Sequence, residues 1–561
     1  MNIKKEKLTH VLKLTLCTIL VVTLALFSAA CTKTPEGEVG NSSLNVSSDI
    51  DSNESSSENS DISSSQESEP IVSETSSEVE EETIDMNKYV KPAPNRNRTP
   101  ITITEVKNNG TKNYVERMGV PYLQYGVQIT TGRSADEDEA FEEEFYKKSA
   151  ELGFKTVLKA VKWKDVEPQE NVYNMYTVSQ ILKNAEKYDL MIELLWFGGN
   201  VCGDSTYTPE YVKNDKIRFP FKSGSVLDFT SAELINRESK ALTEVLNYLY
   251  DNDVNRRVSI IQIENEPTAA NCWVAQLDAF LNYMDKMGQT VKNSCYRTVT
   301  RVNLSVNDDY LKDDFELMGK ILALEGIDMV GPDVYTRDLE HFVKYINRFT
   351  RGDMEGNIMH IAEGPGQIYN YSKIVTTCFA NNSGYYTYEL KSYGGLDFDF
   401  GIFRNNTNEW IKRDGTKKAL YQWDMITKFP ENVTDDITVF NGMVNSVATK
   451  IAKCSLNHFK GIFRGKTEKI GTQEIMYDTS DSRVANRIGA VFLADDGYYY
   501  MFTPASSATF TFKNKSISGS VSIGAFVNGE WKETATIEAV NGNVLNVKTG
   551  VVYRVSANQL K

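Results

Sequence analysis

From Tyr122 onward, short runs rich in β-branched and aromatic residues alternate with longer segments whose apolar positions recur at helical spacing. The strand-like runs are Tyr122–Thr130, Thr156–Trp163, Leu190–Phe197, Val258–Glu266, Thr298–Val306, Ile327–Tyr335, Asn357–Glu363 and Tyr385–Leu390. Between the first two, Phe141, Phe145, Ser149 and Leu152 mark one face of a helix. Helical spacing returns at Val178–Tyr188, Ala232–Tyr250, Val274–Asn293, Phe315–Leu324, Leu339–Arg348 and Lys417–Thr427, with a poorly defined seventh helix near Tyr371–Ala380.

Eight such repeats over roughly three hundred residues predict an α/β fold, a (β/α)8 TIM barrel rather than an open doubly wound sheet. No glycine-rich phosphate loop follows the first strand, which weighs against nucleotide binding. The fourth strand is the most informative. Val258-Ser-Ile-Ile-Gln-Ile is the near-continuous apolar run of a parallel strand buried on both faces, and it breaks straight into Glu264-Asn265-Glu266-Pro267. Two carboxylates and a carboxamide at a buried strand end are costly unless something uses them. The connection after the third strand, Gly198–Ser231, is long enough to build part of a substrate pocket at the same barrel end.

Past the barrel the pattern changes. Met443–Cys454 has helical spacing, and from Arg487 short β-rich runs (Tyr498–Thr503, Ser520–Val527, Val544–Val555) alternate with Gly, Asn and Asp turns. This predicts a C-terminal all-β, sandwich-like domain whose expected role is packing or spacing rather than carbohydrate binding.

The start of the chain reads differently again. Lys4, Lys5, Lys7 and Lys13 precede an apolar stretch from Leu14 to Phe27, then Ser28-Ala29-Ala30-Cys31. This resembles the lipobox of bacterial lipoproteins, which implies lipidation at Cys31, an extracytoplasmic location and attachment to the cell membrane. An ordinary cleaved signal peptide would use the same small residues. Residues 32–86 then carry fifteen Asp and Glu against one Lys and too little apolar surface to fold. The net charge of −15 therefore belongs to this tether, and the rest of the chain is close to neutral. A self-repelling linker extends and holds the folded part away from a membrane. The expected organisation is a leader over 1–31, a disordered acidic tether over 32–94, a barrel domain over 95–430 and a β-rich domain over 431–561.

Composition narrows the chemistry. Beyond residue 95 there are five cysteines, Cys202, Cys272, Cys295, Cys378 and Cys454, too scattered for a disulfide scaffold or a zinc site of the CxxC type. Cys202 and Cys272 follow predicted strands at one barrel end and read as a bridge or as two free thiols. Only His341, His360 and His458 lie in the folded part, which argues against a metal centre and against a Ser-His-Asp hydrolase. No cofactor, no metal and no nucleic acid partner are expected; oligomeric state is open. What remains is carboxylate chemistry. Glu266 ends the fourth strand and Glu363 ends the seventh, in Met359-His-Ile-Ala-Glu-Gly-Pro365. Only a closed barrel brings two such residues face to face, and glycoside hydrolysis needs such a pair.

These residues resemble a known group. Asn265-Glu266 and Glu363 match clan A retaining glycoside hydrolases, and Gln262-x-Glu264-Asn265-Glu266 looks like the family 35 β-galactosidase signature. Trp163-x-x-x-Glu167-Pro168 is similar to a motif shared with family 42 β-galactosidases. Leu194-Leu-Trp-Phe-Gly198, Tyr207-Thr-Pro-Glu-Tyr-Val212, Arg218-Phe-Pro220 and Gly331-Pro-Asp-Val-Tyr335 extend the likeness over most of the barrel. The resemblance implies Glu266 as general acid/base and Glu363 as nucleophile. It implies Asn265 as the partner of the sugar 2-hydroxyl, Tyr335 as a donor to Glu363, and Trp163, Trp196 and Asn200 as subsite lining. Pro267-Thr268 stands where family 35 has Tyr-Gly or Ile-Gly, so the sugar stays open. The expected function is a retaining exo-β-glycosidase, first a β-galactosidase acting on glycans at the cell surface. The alternatives are a β-xylosidase, β-glucosidase or β-mannosidase of the same clan, or a lipid-anchored glycan-binding protein without catalysis. Glu264 is expected to be a buried structural carboxylate paired with Lys159 or another inward base, and Glu167 a loop-fixing residue. Asp228, Asp333 and Glu389 are further carboxylates near the mouth.

Overall fold

The eight strand-like runs form one closed, all-parallel barrel in the computed structural model. It describes residues 85–129, 135–267, 276–304, 311–334, 343, 346–347, 350, 359–365, 371–390, 434–482 and 487–561, with backbone alone over 135–141, 311–315, 359–365, 434–436, 539 and 541. Glu80–Lys561 make one compact unit. The barrel strands are β1 Tyr125–Gln128, β2 Thr156–Lys162, β3 Met191–Phe197, β4 Val258–Asn265, β5 Val299–Leu304, β6 Met329–Pro332, β7 Met359–Pro365 and β8 Ser383–Tyr388. Each pairs with its neighbour in chain order, and β8 closes on β1.

The helices around it are α1 Ala135–Glu151, α2 Tyr176–Lys187, α3 Ala232–Asn252, α4 Leu277–Lys292, α5 Leu311–Leu322 and α6 Tyr371–Ala380. Helix α3 shows why they form. Ser231 caps it by accepting the Leu234 N–H, and Leu234, Ile235, Ala241, Leu242, Val245, Leu246 and Leu249 make a buried stripe. Those side chains meet the outer face of the strands, where Val157, Val161, Ile192, Leu194, Ile261, Ile263 and Val302 share one core with them. The inner face carries Leu158, Ala160, Leu195, Phe197 and Tyr386. Within the barrel, Arg301 of β5 forms a buried ion pair with Glu193 of β3. Its floor is Ile260, Val299 and Met329, sealed by Val115 of a small antiparallel sheet spanning residues 104–122.

After the barrel comes α7 Thr434–Lys453, nine residues earlier in its start than the helical spacing at Met443 predicts. The buried Asn441 interrupts its apolar stripe, and the structure gives it a reason. Its amide donates to the Leu152 carbonyl at 2.8 Å, and its oxygen meets the Tyr125 and Tyr371 hydroxyls. The remaining strands form a six-stranded and a four-stranded antiparallel sheet that share a core of Ile475, Tyr477, Val491, Met501, Phe510, Phe512, Leu545 and Val555. That is the sandwich-like all-β region. The other face of the six-stranded sheet, with Phe459, Phe492, Tyr500 and Phe502, packs on α6 and α7. The β region thus grips the barrel's flank.

Several expectations lie outside the described residues: the leader and Cys31, the tether to residue 84, the helix Lys417–Thr427, Cys272 and Tyr335. Of Leu339–Arg348, residues 343, 346 and 347 are described and are helical. No described helix is long and apolar enough to cross a membrane.

Candidate active site

In such barrels the substrate side is where the strands' C-terminal ends open. Alternation decides which side chains reach it. Lys162 follows Leu158 and Ala160 in phase on β2, and Phe197 follows Leu195 on β3. Asn303 follows Val299 and Arg301 on β5.

Strand β4 would put Glu264 inward, in phase with Ile260 and Gln262. A bulge between Gln262 and Glu264 shifts that phase by one residue. Asn265 turns inward instead: its side-chain oxygen accepts from Gln262 Nε2 at 2.9 Å and from Asn303 Nδ2 at 3.1 Å, which aims the amide. That amide donates to the Cys202 sulfur at 3.4 Å. Glu266 follows half-buried, its N–H donating to the Asn303 carbonyl at 2.9 Å, with φ at +49°. A left-handed backbone costs a non-glycine residue about 1 kcal/mol or more, and such strain gathers at functional sites. Glu363 lies on β7, two residues before its end at Pro365. Going round the closed barrel, β7 is three strands from β4. The Glu363 side chain is outside the described residues, as is Tyr335.

Behind the wall, a buried carboxylate cluster holds the β3 and β4 ends. Glu264 faces the helix layer, its Oε1 accepting from Asn200 Nδ2 and from the Asn265 N–H, each at 2.9 Å. Beside it Glu238 of α3 accepts from Trp196 Nε1 at 2.8 Å, Tyr283 Oη at 2.9 Å and the Gly199 N–H at 3.1 Å. Among the described residues no cation pairs with either carboxyl. Burial pushes the Glu238 carboxyl up to about 7 against the pull of its three donors, and burial with Glu238 nearby raises Glu264 well above the carboxylate range. The pair also explains Gly198: a Cβ there would sit 1.7 Å from Glu238 Oε1.

Here the structure corrects four expectations. Lys159 is not the partner of Glu264; it faces outward and pairs with Glu142 of α1 at 2.9 Å. Trp196 shares the outward phase of Ile192 and Leu194 and is fully buried against α3, so it does not line a subsite. Trp163 is likewise fully buried, opening the short helix Trp163–Val166, and donates to Glu167 Oε2 at 3.1 Å. The parity of Trp196 with Leu194 was the sequence signal for this. Asn200 is buried and serves Glu264 rather than the open mouth. Both indoles are scaffold, so Trp163→Phe and Trp196→Phe are each expected to lower the thermal midpoint while leaving KM within about twofold. A KM rise of tenfold for either would put that ring back at the sugar.

Glu167 does fix its loop, paired with buried Arg237 and accepting the Asn171 N–H at 2.9 Å. Asp228 caps its own turn through Thr230. Asp333 and Glu389 are buried just past β6 and β8. Among the described residues no group of three or more His, Cys, Asp or Glu is gathered to hold a metal ion.

A family described as a domain of unknown function, DUF4978, matches residues 279–460. No curated protein matches the chain. Among solved structures, a family 39 glycoside hydrolase from Bacteroides cellulosilyticus WH2 aligns at 13% identity and TM-score 0.42, over 79% of this chain and 84% of that one. An exo-β-1,4-mannosidase from Opitutaceae bacterium strain TAV5 aligns at 14% and 0.42, over 66% of this chain and 63% of that one. A β-mannanase from Thermomonospora fusca aligns at 13% and 0.38, over 54% of this chain and 90% of that one. At these scores the ground for the fold is the strand pairing itself.

Proposed function

We propose that the chain is a retaining exo-β-glycosidase, first a β-galactosidase, displayed at the cell surface through a lipid on Cys31. What carries the reading is Glu266, strained at the end of β4 beside an aimed Asn265, with Glu363 near the end of β7 in the same closed barrel. Glu363 attacks the anomeric carbon while Glu266 protonates the leaving oxygen. Glu266 then takes a proton from the water that cleaves the glycosyl–enzyme. Asn265 hydrogen-bonds the sugar 2-hydroxyl, a contact that strengthens as the oxocarbenium-like transition state forms. Gln262 and Asn303 bond to its oxygen and Cys202 takes one N–H, which leaves the other N–H for that task.

A panel of aryl β-glycosides tests this. Turnover of the galactoside ahead of the xyloside, glucoside and mannoside is expected, with the β-anomer as first product. A different winning sugar overturns the galactose assignment and keeps the mechanism. No turnover of any member, with glycan binding on an array, means a binding protein instead.

A further inference from the structure

Lys162 is a cation facing the barrel mouth with no carboxylate partner among the described residues. It ends β2 in the inward phase of Leu158 and Ala160, beside Phe197 of β3, with which it is in register. The residue is half-buried, and among the described residues no Asp or Glu forms an ion pair with it. Its ammonium instead lies 5.5 Å from the centre of the Tyr207 ring, in the long loop after β3. Lys164 lies 5.5 Å from the centre of the same ring, held by the Thr206 carbonyl at 3.2 Å. Tyr207 in turn packs on Phe197, ring centres 5.2 Å apart. Asp165 is within electrostatic range of both lysines but bridges neither, so the patch keeps a positive charge.

Two ammonium groups over one ring repel each other, and the ring's attraction for each is small. Partly desolvating a lysine without a counter-ion is unfavourable as well. An anion arriving with the substrate relieves both. Neutral hydroxyls do not need this arrangement, since Asn265 already serves that purpose at the same mouth.

We infer that Lys162, with Lys164 beside it, recognises an anionic group, a carboxylate or a sulfate, on the sugar that enters the barrel. The inference rests on the glycosidase reading for where the sugar sits. Calorimetric binding of galacturonate, galactose 6-sulfate and galactose to the full chain tests it. Whichever acidic sugar fits is expected to bind about 10- to 100-fold tighter than galactose, the range of a charge-assisted hydrogen bond. Lys162→Gln should lose that preference and Lys162→Arg keep most of it. The same loss should appear in kcat/KM on the aryl β-galacturonide or 6-sulfated β-galactoside, with the neutral galactoside changed less than threefold. Raising salt should weaken the acidic sugar alone in the wild type, a result that does not depend on any variant folding. Equal binding of acidic and neutral sugars, or a Lys162→Gln loss shared by both, overturns the subsite. Acid-selective binding without turnover of any aryl glycoside sinks the glycosidase reading and leaves the subsite standing.

Discussion

Glu363→Gly is expected to lose at least about 10⁴-fold in kcat on aryl β-galactosides, because the proposed nucleophile is gone. Azide should restore turnover: it fills the space of the missing carboxylate and attacks the anomeric carbon directly. That single displacement inverts the configuration and yields the α-glycosyl azide. Glu266→Ala should behave differently. Its loss, about 10²–10⁴-fold, should be large for poor leaving groups and small for dinitrophenolate, which needs no proton. Here azide intercepts the glycosyl–enzyme and yields the β-glycosyl azide, and the alkaline limb of the pH profile flattens. The two azide products separate nucleophile from acid/base in one experiment. Failure of azide to revive Glu363→Gly would mean that the nucleophile lies elsewhere, with Asp333 and Glu389, buried past neighbouring strand ends, as the next carboxylates to test.

Glu238→Ala should be the most destabilising of the helix-layer substitutions. It strands the Trp196 indole N–H, the Tyr283 hydroxyl and the Gly199 amide together, in a site with no water-exposed route for Glu238 itself. A stranded buried donor costs about 1–3 kcal/mol, and the three are not additive, so a loss of about 3–5 kcal/mol is expected in urea titration. Activity should fall as well, because Gly199 carries the chain into Asn200 and on to the Glu264–Asn265 contacts.

The same residue gives stability a pH dependence of definite sign. Its carboxyl sits at about 7 in the fold against an ordinary 4.5, so the folded state binds the extra proton between those values. The stability this confers is whole below about pH 4.5 and is lost as pH rises through 7, a loss on the order of 3 kcal/mol. Glu264 and Glu193, also raised by burial, act in the same direction. Glu238→Gln removes one of the three contributions, so its stability should decline less than that of the wild type between pH 5 and 8. Parallel declines would show that Glu238 stays ionised throughout. The amide also turns a donor toward the Gly199 N–H, so the variant starts about 1–2 kcal/mol lower at pH 5.

Much of the architecture was open to reading from periodicity. All eight barrel strands, most of the helices and the β-rich C-terminal region follow from local apolar spacing, since a strand buried on both faces and a helix with one apolar stripe leave different patterns along the chain. Asn441 shows the limit: a polar residue inside an apolar stripe hid the first half of α7, and only its contacts with Leu152, Tyr125 and Tyr371 account for it. Cys202 had two readings, bridge or free thiol; its sulfur accepts from the Asn265 amide, and Cys272, the other half of that question, lies outside the described residues.

The sequence by itself determined that this chain closes a (β/α)8 barrel and that Glu266 and Glu363 sit at the substrate-side ends of two of its strands, Glu266 just past β4 and Glu363 within β7. Both follow from period and chain order, which are local properties. Only the tertiary structure decided which neighbours of those residues face the mouth. The bulge in β4 turns Glu264 to the helices and Asn265 inward, and outward phase buries Trp196 against Glu238. Lys162, passed over in the sequence, is left at the rim. A one-residue change of phase is nearly silent in composition but moves a side chain to the opposite face of the wall. The roles around Glu266 therefore depended on register.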